Sequence, residues 1–255
     1  MTTNQKIRSI QILNLIASII AIMYVFYSGD FYLLLISYLV FVLFCPIGIS
    51  ACLHRLLSHK SYKTFPVIEK IMVMLSVYAT VGSPIAWVAI HRAHHGFADK
   101  ENDPHSPHKD NKLNLRSVLS AWTGYGSPSI KIPTSFIKDL IKDPFYKVLH
   151  NHYFKILLIP VGILFLISPI LALFLYSLPA TLALNTTSIV NVLGHTHGYR
   201  SYTTNDQSSN SWIANIFSLG EGWHNNHHKS PNKFSTKEKS HEWDLIGFFI
   251  KLIRI

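Results

Sequence analysis

The amino-acid sequence predicts an all-α integral membrane protein: four transmembrane helices carrying a cytoplasmic, histidine-rich helical cap. Three observations predict it. Hydrophobic residues make up 49% of the chain and charged residues only 14%, against about 25% charged in ordinary soluble domains. The apolar residues lie in long runs separated by polar stretches. The histidines gather in short clusters at the polar ends of those runs.

The 255 residues are read as one domain, 1–255. Ile10–Tyr27 is the first span. Lys6 and Arg8 precede it and no small-residue cleavage site ends it, so a retained helix is expected rather than a signal peptide. Ser28-Gly29-Asp30 makes a tight turn into the second span, Phe31–Leu53. Each can cross a hydrocarbon core about 30 Å thick, which takes about 20 residues. Cys45 and Cys52 both sit inside the second run, where a disulfide framework is not indicated and helix packing is the simpler role. His54 and His59 follow at once. Residues i and i+5 do not share a face of an α-helix, so the helix is expected to end or bend here.

Hydropathy alone would make Val67–Ile90 a span. Crossing would put His91 and His54 on opposite membrane faces, whereas metal–nitrogen bonds are about 2 Å long. Gly82, Ser83 and Pro84 also interrupt the run, so 67–90 is expected at the interface without crossing. Residues 96–153 are polar and proline-punctuated, and are assigned to the cytoplasm. Phe154–Leu178 is the third span, and 179–195, beginning at Pro179, the fourth. The fourth carries Asn185, Thr186, Thr187, Ser188 and Asn191. Polar side chains in a bilayer are costly unless they face protein or a cavity. They therefore serve helix packing or line a reaction site, to which the helix would bring Asn191 and His195. Residues 198–255 form a cytoplasmic tail.

Charge fits this layout. All 23 Lys and Arg fall on the side of the histidine clusters, which leaves Asp30 alone for the opposite face. The excess of Lys and Arg in cytoplasmic segments places the clusters and both termini in the cytoplasm. The net charge of +10 suits anionic headgroups or an acidic electron donor. A basic domain with interleaved aromatics is missing, so nucleic acid is not expected as a partner.

The clusters carry the chemistry. His91-Arg92-Ala93-His94-His95 stacks three imidazoles within one helical turn, His224-Asn225-Asn226-His227-His228 repeats the spacing, and His54 with His59 adds a pair. With His195 they make nine nitrogens, more than one metal takes, which suggests two metals. Only Glu221 adjoins a cluster. That counts against the HExxH zinc-protease arrangement, whose base lies inside the motif, and against carboxylate-rich soluble di-iron bundles. One haem needs fewer histidines. Iron suits such a site, and zinc would substitute where abundant.

The combination His54-Arg55-Leu56-Leu57-Ser58-His59, the HRAHH cluster with the later Asp103-Pro104-His105, and Gly220-Glu221-Gly222-Trp223-His224-Asn225-Asn226-His227-His228 resembles the integral-membrane acyl-CoA desaturases, the stearoyl-CoA desaturase family. Asn191-Val192-Leu193-Gly194-His195 resembles that family's Asn-x-x-x-His element, and the match covers roughly 31–250. The resemblance implies a desaturase, with delta-9 the position it suggests, that uses O2 and two electrons at a di-iron centre to insert a cis double bond into a saturated acyl chain. One iron would take His54, His59, His95 and His228, with Asn191 reaching it through water. The other would take His91, His94, His195, His224 and His227. Trp87 and Thr187 would shape the bend of the acyl tunnel, and Val42 and Pro46, two to three turns before His54, would wall its closed end. Two departures bear on carrier and donor. The family's SHxGW sequence is missing, with Ser120-Ala121-Trp122-Thr123-Gly124 near its place, and the chain holds no fused cytochrome b5. The substrate is thus a fatty acyl thioester or a lipid, and the donor an external ferredoxin or cytochrome b5. His105, His108, His150, His152, His197 and His241 fall outside the ligand pattern, with His105 a neighbour of it. The alternatives are a fatty acyl hydroxylase on the same scaffold, separated by its alcohol product, and a non-enzymatic zinc-binding or transport protein. A transporter needs ionisable groups at the bilayer midplane, and the three long spans hold no His or Glu.

Overall fold

The computed structural model describes residues 2–109, 112–115, 118–119 and 133–255. Ser120–Gly124 lies outside them. The first helix, α1 (Thr3–Ser28), opens on a capping box in which Thr2 and Gln5 exchange backbone and side-chain hydrogen bonds, and closes on left-handed Gly29 (φ 78°). Its buried stripe is Asn14, Ser18, Ala21 and Val25, while its leucines and isoleucines point outward. A water-soluble helix does the reverse; small and polar residues inside and apolar ones outside suit a helix surrounded by lipid. Ser18 donates to the carbonyl of Ser177 and meets Thr181, and Asn14 donates to the Tyr176 hydroxyl, binding α1 to a later span.

The second helix, α2 (Tyr32–Ser58), is α-helical to Val42 and π-wound from Leu43 to Ser58. Pro46 inside it has no N–H to give, and the ladder runs i→i+5 through the rest of the helix. Two short helices follow, α3 (Pro66–Tyr78) and α4 (Pro84–Phe97). At 1.5 Å per residue each is about 20 Å long, short of the core thickness. Gly48 lets α2 and α3 cross closely, since a Cβ there would stand 2.7 Å from the Ser76 nitrogen. Between α3 and α4 the chain turns through Thr80 and Gly82, both at positive φ, and Ser83 caps α4.

Beyond the polar segment, α5 (Pro144–Asn151) and α6 (Tyr153–Ile167) meet at a 65° bend. The next helix, α7 (Pro169–Gly194), runs unbroken for 26 residues. The expected boundary between 154–178 and 179–195 is therefore misplaced. The break is at Ser168, extended and capping the new helix through its hydroxyl, with Pro169 at the first helical position. Pro179 is absorbed because the preceding turn, Leu173–Ser177, is π-wound. Three helices, α1, α2 and α7, are long and apolar enough to cross a membrane, and a fourth span arises if α5 and α6 count together. The chain is a multi-pass membrane protein. The cap is completed by α8 (Trp212–Ser218), α9 (His224–Lys229) and α10 (Leu245–Ile253). Among the described residues the only paired strands are a two-residue hairpin, His108–Lys109 with Lys112–Leu113.

Candidate metal centre

Nine histidines from four elements meet beneath the cap in two groups. His54, His59, His91, His95 and His227 form one, and His94, His195, His224 and His228 the other; within each, one ligand atom per residue lies within 4.8 Å of all the rest. The first pair comes from the end of α2. A helix was expected to end or bend there. Instead its π winding continues to Ser58, with His59 N–H bonded to the His54 carbonyl, and the widened turn brings the two rings to 5.0 Å between centroids.

Each HxxHH motif divides between the groups. On α4, His91 and His95 enter the first group and His94 the second; on α9, His224 and His228 enter the second and His227 the first. This grouping of ring atoms differs from the partition implied by the family resemblance in three places: His91 and His227 lie with His54, and His228 with His195. The reason is helical geometry. Residues i and i+4 nearly overlie one another, whereas i+3 and i+4 are about 100° apart and must face different points. His195 stands just beyond α7, where Gly194 leaves room for the His224 ring; a Cβ would come within 2.8 Å of it.

Four carboxylates set the rings. Glu221 accepts from His54 Nδ1 at 3.0 Å, Asp103 from His94 at 2.9 Å, Asp99 from His195 at 2.8 Å and Asp206 from His228 at 2.9 Å. A ring whose Nδ1 proton is committed this way presents a bare lone pair at Nε2. Those Nε2 atoms converge. His195 and His228 each stand 3.1 Å from His224 Nε2, and His94 Nε2 is buried with no hydrogen-bond partner. In the first group His227 Nε2 lies 3.0 Å from that of His54 and 3.1 Å from that of His95, and His59 lies 2.8 Å from His91. Protonation is a poor remedy. Burial and the neighbouring imidazoles hold His59, His91, His95, His224 and His227 well below their ordinary pKa, and push His228 down to about 4. His94 runs the other way, because Asp103, Asp99 and Asp206 outweigh its burial. Glu221, despite burial, is held down to about 2 by Arg55 and His54. Lone pairs crowded in a neutral, buried setting fit two cations, and the all-nitrogen donor set fits iron or zinc.

The sequence motifs hold Asp103 and Glu221 but not the rest of this support. Asp99 and Asp206 were not singled out; the offset of Asp99 and Asp103 from the HRAHH cluster was the available signal, and Asp206 lies in an undistinguished Ser/Thr/Asn loop. Arg55, 1% exposed, was missed as well. It binds Glu221, Asp244 and the carbonyls of Phe234 and Gly220, locking the carboxylate that locks His54.

A cavity of about 220 Å³ adjoins both groups. Trp87, Thr187 and Asn191 line it, as does His105, while Val42 and Pro46 are not among its lining residues. Val42 packs on the core and Pro46 is buried; Cys45 and Ile49 line the cavity instead. Trp87 stacks on His91 at 5.0 Å and 12°. The Asn191 amide donates to the His105 carbonyl at 2.7 Å.

A family model described as fatty acid desaturase matches residues 14–235. The chain is 33% identical over 213 residues to the sn-1 stearoyl-lipid 9-desaturase of Anabaena variabilis, covering 82% of this chain and 76% of that one. It is 34% identical over 218 residues to the sn-2 palmitoyl-lipid 9-desaturase of Nostoc sp. (strain 36), covering 83% and 75%. It is 32% identical over 213 residues to Delta-9 acyl-lipid desaturase 2 of Arabidopsis thaliana, covering 82% and 68%. These relatives are named for lipid-bound rather than CoA-bound acyl chains. Histidine clusters, membrane spans and this match over most of its length together place the chain in the fatty acid desaturase family.

Proposed function

We propose that this desaturase inserts a cis double bond at the delta-9 position of a saturated acyl chain carried on a membrane lipid, with two iron ions held by the nine histidines. The observation that carries the reading is the convergence of two sets of Nε2 lone pairs beside a mostly apolar cavity. The names of the relatives support lipid over CoA as the carrier and delta-9 as the position.

The metals, when bound, supply activation of O2 and abstraction of hydrogen from two adjacent methylenes. The residues supply everything else. Asp99, Asp103, Asp206 and Glu221 keep the Nδ1 protons on their rings, so each Nε2 is free to ligate without first losing a proton. Cys45, Ile49 and Leu184 offer apolar walls to the acyl chain, and Trp87, braced flat on His91, limits where the chain can bend. Thr187 lines the cavity and donates its hydroxyl to the Leu184 carbonyl, which satisfies that polar group within the helix. Holding two particular methylenes at the metals is the protein's main contribution. Asn191, which lines the cavity with its amide tied to the His105 carbonyl, would reach a metal through water.

Two electrons come from an external carrier of ferredoxin or cytochrome b5 type. The clusters and both termini face the cytoplasm, in keeping with the basic charge on that side, and α3 and α4 stay on that side of the bilayer. The test is expression in a host that lacks desaturase activity, with pulse-labelled saturated fatty acid and mass spectrometry of the lipid and thioester pools. A new cis-monoene is expected first in intact lipid. Appearance first in the CoA pool would refute the carrier, and no monoene with a competent donor would refute the reaction.

A further inference from the structure

The apolar surface of the cap carries an inference of its own. We propose that α8, α10 and α3 form one amphipathic collar seated in the headgroup layer of the bilayer, the partner of this surface being lipid.

Helix α8 is inside out. It buries Ala214, Asn215 and Ser218 and exposes Trp212, Ile213, Ile216 and Phe217, the last two at 60% and 52%. A helix facing water has the opposite polarity. The only other inversion of this kind described above is in α1, which is long and apolar enough to span. Helix α10 has two apolar faces. Ile246 and Ile250 are buried in the core, while Phe248 and Leu252 stand 63% and 69% exposed. In α3 the exposed side carries Phe65, Val67 and Ile71.

These three surfaces are tied together. The Leu219 carbonyl, at the end of α8, accepts the N–H groups of Leu245 and Ile246 at the start of α10. At the other end of α10, Thr64 donates to the Ile253 carbonyl and Ile255 donates to that of Lys63, directly before α3. The strip is also continuous with the spans. Helix α3 follows the end of α2, and Ser209, shortly before α8, donates to the carbonyl of Gly194, the last residue of α7. It therefore lies where apolar helices leave the hydrocarbon. Charge agrees: α8 and α10 contain no acidic residue, the exposed ions along the strip are Lys63, Lys70, Lys251 and Arg254, and the one carboxylate of α3, Glu69, is half-buried and accepts from the Tyr146 hydroxyl. Apolar side chains flanked by cations are what an interfacial helix presents to lipid headgroups. Residues 198–255, expected as a cytoplasmic tail, would thus be held to the membrane at two helices, setting the height of the histidine groups above the hydrocarbon.

The experiment uses the full chain in phosphatidylcholine–phosphatidylglycerol vesicles. Ile216→Cys, Phe248→Cys and Leu252→Cys are spin-labelled one at a time, with exposed Glu101→Cys in the polar segment, away from the strip, as the aqueous reference; the native Cys45 and Cys52 are fully buried. Collision with oxygen, concentrated in the bilayer, is compared with collision with an aqueous nickel chelate. The expected result is high oxygen contact at all three sites and nickel contact several-fold below that at Glu101→Cys. Nickel contact equal to the reference would overturn the proposal in favour of a water-facing surface. Shielding from both reagents would overturn it in favour of a second copy or another protein. The sites lie on two helices, Ile216 on α8 and Phe248 and Leu252 on α10, so a local disturbance in one helix leaves the other decisive.

Discussion

Replacing Asp206 by Asn tests whether the carboxylates govern metal binding. Asp206 uses its two oxygens differently. Oδ1 accepts from the Thr204 hydroxyl at 2.6 Å, from the Ser208 hydroxyl at 2.6 Å and from the Ser208 N–H at 2.9 Å, while Oδ2 is given to His228 Nδ1 at 2.9 Å. In Asp206→Asn the amide oxygen keeps the three loop bonds, so the fold is retained. The NH2 group then faces His228 Nδ1–H, donor against donor. The ring is relieved by moving its proton to Nε2, which removes that lone pair from the second group. Losing such a partner costs about 10–100-fold in metal affinity, or about 1.4–2.7 kcal/mol. The assay is iron content by inductively coupled plasma mass spectrometry after dialysis against graded chelator, with circular dichroism to confirm folding. The wild type should keep two irons per chain to a chelator concentration at which the variant keeps one. Equal retention in both proteins would refute the tautomer argument.

Other outcomes follow from the same geometry. Arg55→Met removes the cation facing two buried carboxylates, leaving Glu221 with His54 and Asp244 with neutral donors, and should destabilise the protein by about 3–5 kcal/mol, read as a lower denaturation midpoint even without metal; an unchanged midpoint would show the pair solvated. Ile49→Trp should shorten the acyl chains accepted while Val42→Trp should not, since only Ile49 lines the cavity; gas chromatography of products decides, and the reverse pattern would misplace the wall. The metal-free protein should lose stability on acidification. His228 titrates at about 4 when folded against 6.5 for the ordinary group, so between those values the unfolded chain binds more protons and stability rises with pH. A melting temperature in detergent that is flat from pH 7 to 4.5 would contradict buried, neutral imidazoles.

The sequence made the spans and the nine histidines legible because both signals are local: apolar runs of sufficient length, and imidazoles at helical spacing. It misled where winding mattered. Pro179 looks like a breaker and is absorbed by a π turn, whereas Ser168-Pro169 breaks the chain within an apolar run that hydropathy reads as continuous. Val42 and Pro46 were chosen by counting α-helical rise in a helix that is π-wound from Leu43. The supporting carboxylates are reached only through folding, since Asp206 meets His228 across a loop and Asp244 meets Arg55 across most of the chain.

The π winding of α2 also bears on how such a site tolerates change in chain length. A π turn holds one residue more than the α turn it replaces, so the HxxxxH pair works as a pair only because the helix carries surplus residues along 43–58. Deleting a single residue between Pro46 and Leu53 would let that stretch relax toward the α form and rotate the His54–His59 pair together away from the other histidines without touching either one. An equally small deletion in the α-helical first half, Tyr32–Val42, would mainly shorten the span. The end of this helix therefore acts as a length gauge, in which the number of residues, and not only their identity, is under chemical constraint.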